Sequence, residues 1–82
     1  MIFEKVRSYL KNNSYNINIS KNYLYINNYL TINNLNEKNI KISLENIDLE
    51  IIGNELKVVK MIDNEILING QIESVQLIND RN

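Results

Sequence analysis

From Tyr15 onward the chain is a succession of short apolar/polar alternations broken by Asn, Asp or Gly. With breaks roughly every 8 to 10 residues, this is the pattern of an all-β domain. It predicts a mainly β fold over residues 15–78, a rolled antiparallel meander of about seven or eight short strands closed as a small barrel or a two-layer sandwich, with a β-solenoid as the alternative. The first residues follow a different period. Ile2, Phe3, Val6 and Leu10 recur at helical spacing and Asn12-Asn13 offers a stop, which predicts a short amphipathic helix over residues 2–11. So short a helix needs tertiary packing, so its apolar stripe is expected to cap the core, the other reading being a membrane-surface or partner-binding helix. The whole chain, 1–82, reads as a single domain.

The turns are scarce. Proline is absent, and the two glycines sit in similar frames of branched apolar residues, LEIIGNELKVV and ILINGQIESV. If Gly53-Asn54 is a two-residue hairpin loop with Gly53 at the positive-φ position, Ile51 faces Leu56 and Leu49 faces Val58. A Glu45-Asn46 loop likewise opposes Leu44 to Ile47, Ile42 to Leu49 and Ile40 to Ile51. All of these residues then share one apolar face, and on the other face Glu50 falls between Lys41 and Lys57. At Asn69-Gly70 a three-residue loop with Gly70 left-handed and a bulge opposes Ile68 to Ile72. Gly53, Asn54, Asn69 and Gly70 are therefore expected to be structural turns. Val58-Val59 breaks the alternation, so the sheet must bend or change layer there. Ile52, Val59 and Leu67 fall on the alternate parity, where one sheet face cannot cover them, and form the candidate interaction surface. Asn22-Tyr23-Leu24 repeats as Asn28-Tyr29-Leu30, read as two adjacent strands.

Three consecutive stretches, NLNEKNIKISL, IIGNELKVVKM and EILINGQIESVQL, give the segment 26–77 a resemblance to the YabP/YqfC family of sporulation proteins of spore-forming Firmicutes. In that family a strand ending near a glycine is followed by an apolar strand, a short acidic turn and a closing I-x-G-x-I-x-x-[IV] segment. Here those elements are Gly53, then Leu56-Lys57-Val58, then Asp63-Asn64-Glu65, then Ile68-Asn69-Gly70-Gln71-Ile72-Glu73-Ser74-Val75. The resemblance implies a part in spore envelope or coat assembly, in the cytoplasm of the mother cell or at the developing spore envelope. It also implies other spore-envelope proteins as partners and no catalytic motif. Free strand edges without proline add the expectation of a homo-oligomer.

Composition narrows the rest. A chain of 82 residues buries only roughly 60% of its unfolded surface, so added burial against a partner is valuable. With nine basic and ten acidic side chains the net charge is −1, which draws in neither nucleic acid nor an anionic membrane. Cysteine and histidine are both absent, which removes disulfides, thiolate metal sites and the commonest general base. No apolar run reaches the roughly 20 residues of a membrane span, and Glu4, Lys5 and Arg7 interrupt the start, so neither an integral span nor a signal peptide is expected. The many asparagines match the bias of AT-rich coding DNA and are discounted as a motif.

Two chemical alternatives remain. Asp48 and Glu50, two apart on one strand, could form a carboxylate pair, but Glu50 is expected beside lysines and no nucleophile constellation accompanies it. No enzyme, no cofactor and no metal site is therefore expected. Tyr23, Tyr25 and Tyr29 beside Lys21 could stack single-stranded nucleic acid, the rival function, although such surfaces need a basic groove and tyrosine is a favoured strand residue. No nucleic-acid partner is expected.

Overall fold

The computed structural model describes residues 16–79. Within them lie six strands: β1 (Asn16–Ile19), β2 (Tyr23–Asn27), β3 (Thr31–Leu35), β4 (Asn39–Ser43), β5 (Asp48–Ile62) and β6 (Glu65–Ile78). They form one open sheet in the order β1-β2-β6-β5-β4-β3 with every pairing antiparallel. The mainly β class holds. The larger number of short strands does not, and neither does the closed barrel, the pair of separate sheets or the solenoid. The helix expected over residues 2–11 lies outside the described residues.

The miscount has one cause. β5 and β6 are 15 and 14 residues long, and each runs through a glycine expected to reverse the chain. Straight, such a strand would be about 50 Å long, whereas the longest dimension of the molecule is 31 Å. Both strands therefore bend, and their shared ladder shifts register between Ile52 and Gly53, between Asn54 and Lys57, and between Val58 and Lys60. The bend divides the sheet into two wings. One holds β3, β4, the start of β5 and the end of β6; the other holds β1, β2, the start of β6 and the end of β5.

Residues 28–30 show how the wings lie. They join Asn27, opposite Glu65 at the far end of one wing, to Thr31, opposite Ser43 at the far end of the other. In a flat sheet those ends would stand about 40 Å apart, and the connection reaches about 14 Å. The apolar faces of the wings consequently turn toward each other. Ile40, Ile42, Leu49, Ile51 and Val75 from one wing and Leu24, Ile26, Ile66 and Ile68 from the other have no exposed surface and belong to a single cluster. The buried hydrophobic cluster is wholly aliphatic, and each such side chain contributes roughly 1.5–3 kcal/mol by leaving water.

At Glu45-Asn46 the expected reversal is present. Leu44 donates its N–H to the Ile47 carbonyl at 2.8 Å, and Ile42 pairs with Leu49, Lys41 with Glu50 and Ile40 with Ile51. Gly53-Asn54 and Asn69-Gly70 are not hairpin loops. Gly53 opposes Ile72, Asn54 opposes Gln71, and Glu50 has Gln76 rather than Lys57 as its second neighbour. The reversal between β5 and β6 falls instead at Asp63-Asn64, with Asp63 at φ 53° and Ile62 paired to Glu65. Gly70 does adopt positive φ, 141°, whereas Gly53 does not. What both provide is space, because a Cβ at either position would run into the backbone of the facing strand.

The two bends are equivalent. Beside one, the turn after β1 gives the Asn22 and Lys21 carbonyls to the N–H groups of Gly70 (3.1 Å) and Ile72 (2.8 Å). Beside the other, the turn after β3 gives the Lys38 and Glu37 carbonyls to those of Gly53 (3.1 Å) and Leu56 (2.8 Å). Each turn is closed by one side chain. Ser20 Oγ accepts from the N–H groups of Asn22 and Tyr23, and Asn36 Oδ1 accepts from those of Lys38 and Asn39. A hairpin plus half of a long strand is thus built twice, and the Asn-Tyr-Leu echo, expected on two adjacent strands, falls instead on the start of β2 with the residue before it and on the connection 28–30.

Candidate functional site

The bend at Gly70 opens a shallow hollow of about 550 Å³ on the outer face. Tyr23 and Leu67 supply its apolar surface, and Asn22, Asn69, Gln71 and Glu55 surround them. Alternation explains the placement, since Leu67 stands between the buried Ile66 and Ile68 and so points outward, while Tyr23 precedes the buried Leu24. Tyr23 is 40% exposed. Glu55 reaches the rim from a backbone at φ 54°. The side chains of Asn22, Asn69, Gln71 and Glu55 make no hydrogen bond among the described residues.

Further along the outer face several polar side chains pair between strands. Asn34 Nδ2 donates to Asn39 Oδ1 at 2.7 Å and Asn39 Nδ2 donates in turn to Glu50. Asn33 donates to Ser43, and Asn54 Nδ2 donates to Glu73 Oε2 at 2.6 Å. Asparagines discounted in the sequence thus tie neighbouring strands together, and only the strand pairing could have shown which ones. In the hollow an aromatic and an aliphatic side chain lie among four polar side chains that have no hydrogen-bond partner among the described residues.

Tyr25 lies on the same face of β2 as Tyr23. Its hydroxyl donates to Glu65 Oε1 at 2.6 Å. That hydrogen bond, then loss of hydration, then the Glu65 charge hold the Tyr25 phenol above the ordinary tyrosine range.

The residues singled out in the sequence are dispersed by the fold. Leu67 lines the hollow, flanked by Tyr25 and Lys60 in the register. Val59 is exposed at the last register shift of β5, and Ile52 lies half-buried on the other wing between Asn39 and Ser74. Of the tyrosines, Tyr29 packs against the core cluster and leaves the outer face to Tyr23 and Tyr25. Asp48 is nearly buried and accepts from Asn79 Nδ2 at 3.0 Å, while Glu50 accepts from Asn39. Each carboxylate is therefore held by its own amide. Asn54, Asn69 and Gly70 gather around the bend, as strand residues rather than loop residues.

Among the described residues the fold also leaves free strand edges. Past the bend, β5 keeps β6 on one side only, and β6 keeps β5 on one side only. No helix among the described residues is long and apolar enough to cross a membrane. No family model, curated protein or solved structure matches the chain.

Proposed function

We propose that this chain is a non-enzymatic contact module that works through protein–protein interactions in assembling the spore envelope or coat. The observation that carries the contact reading is the hollow at the Gly70 bend, where polar side chains without a partner among the described residues encircle Tyr23 and Leu67. A protein partner satisfies those groups and covers the aromatic side chain in one step. The process is supported by the resemblance of segment 26–77 to the YabP/YqfC family, which also suggests the mother-cell cytoplasm or the developing spore envelope as the place of action. Partners are then other envelope proteins.

The test is made in the source organism. A reporter at the chromosomal locus is expected to switch on in the mother cell during endospore formation. Constitutive expression, or a source that forms no endospores, overturns the process. A photo-crosslinking residue in place of Tyr23 is expected to capture an envelope protein, and Leu67→Glu is expected to abolish the adduct. An adduct indifferent to Leu67→Glu, or none, overturns the contact face.

A further inference from the structure

The end of β6 is a free edge of a different kind from the others. Gly53 gives its N–H to Lys38, away from β6. By alternation Ile51 and Leu49 then address β4, while Ile52, Glu50 and Asp48 address β6. Their register partners Ser74, Gln76 and Ile78 close the ladder between β5 and β6. Val75 and Leu77 therefore direct their N–H and C=O groups outward, where no described strand lies.

Natural sheets protect edges with lysines, bulges and shortness. The free part of β5 carries Lys57, Lys60 and a register shift between Val58 and Lys60. β1 has four residues, and β3 shifts register between Ile32 and Asn34. Residues 74–78 have none of these devices: Ser, Val, Gln, Leu and Ile follow one another without a charge, a proline or a register shift.

We infer that this edge pairs with the same edge of a second copy of the chain, antiparallel about a two-fold axis at Gln76. The register follows from which groups point outward. Val75 of one copy exchanges hydrogen bonds with Leu77 of the other, Gln76 lies opposite Gln76, and Ser74 lies opposite Ile78. On the inner face Val75 is fully buried within one chain and Leu77 only partly, so the pairing completes the cover of Leu77 as it extends the sheet. No like charges meet, because Glu73 falls opposite Asn79. The same pairing at the free part of β5 gathers Lys57 and Lys60 from both copies, a repulsion that disfavours it. Self-complementarity in register, burial and charge makes a second copy the occupant. The inference rests on the reading of the chain as a contact module and supplies one of its partners.

The test uses the full chain. Sedimentation across concentrations up to about 1 mM, where association near −4 kcal/mol is still visible, is expected to show a monomer–dimer equilibrium. Gln76 is exposed on the outer face, so Gln76→Lys leaves the fold intact, checked by its denaturation midpoint, and sets two like charges across the axis. It is expected to weaken the dimer at least tenfold. Because the chain has no cysteine, Gln76→Cys is expected to form a disulfide between copies, the paired Cα atoms lying about 4.5 Å apart, within disulfide reach. Lys60→Cys on the other edge is expected to form none. A monomer at every concentration, a dimer indifferent to Gln76→Lys, or Lys60→Cys cross-linking as readily as Gln76→Cys overturns the inference. Each leaves the Tyr23 and Leu67 adducts in cells as a separate readout of the contact face.

Discussion

Gly53 lies so close to Gln71 that a Cβ on the glycine would stand 2.0 Å from the Gln71 carbonyl oxygen. The obstacle is backbone, held in the ladder between β5 and β6, so no side-chain rotation relieves it. Gly53→Ala is therefore expected to destabilise by about 3 kcal/mol or more, at the upper end of overpacking costs. Gly70→Ala combines a contact of 2.8 Å to the Glu55 carbonyl oxygen with a φ of 141° and should cost a similar amount. Chemical denaturation measures both, and unchanged midpoints would contradict the close approach at the bends.

The opposite substitution should stabilise. Glu55 and Asp63 hold φ of 54° and 53° on exposed residues, a conformation costing roughly 1–2 kcal/mol for a residue with a side chain. Glycine removes that cost and returns part of it as chain entropy. Glu55→Gly and Asp63→Gly are each expected to gain about 0.5–1 kcal/mol in the same assay.

The hydrogen bond from Tyr25 to Glu65 should make stability fall at alkaline pH. Its phenol is raised above the ordinary value, so the folded state binds the proton more tightly than the unfolded chain does. The associated stability is fully present below about pH 10 and is lost as pH rises through the raised value. Denaturation midpoints across that range are expected to fall more steeply for the wild type than for Tyr25→Phe. Absorbance of tyrosinate should show a late-titrating component that the variant lacks.

On the free part of β5, Lys57 and Lys60 stand exposed on a strand that also offers Val59 and Met61 to solvent. Replacing both lysines with threonine is expected to change folding stability by less than about 0.5 kcal/mol, since neither side chain is buried. Light scattering over time is expected to rise nonetheless, because the edge loses the charges that oppose pairing. Scattering equal to the wild type would show that the register shift between Val58 and Lys60 protects the edge by itself.

Alternation along the chain determined the β class, the reversal at Glu45-Asn46 and the inward placing of Ile40, Ile42, Leu44, Ile47, Leu49, Ile51, Leu56, Ile68 and Ile72, though not of Ile19, Leu24, Ile26 or Val75, because inward and outward positions on a strand are separated by burial alone. Even the mistaken hairpin at Gly53 assigned Leu56 and Val58 to the right face. A register shift between Asn54 and Lys57 moves the apolar set from odd to even positions just as a two-residue loop would, so the pattern of burial is the same for a strand that turns back and one that bends on. Distinguishing them required knowing what lies across the ladder, and that partner, the end of β6, is about twenty residues further along the chain. The hollow at Gly70 and the unprotected edge at Val75 and Leu77 have the same origin. Side-chain types were legible at every position, but a hydrogen-bond partner, or the lack of one, exists only when distant strands are placed side by side.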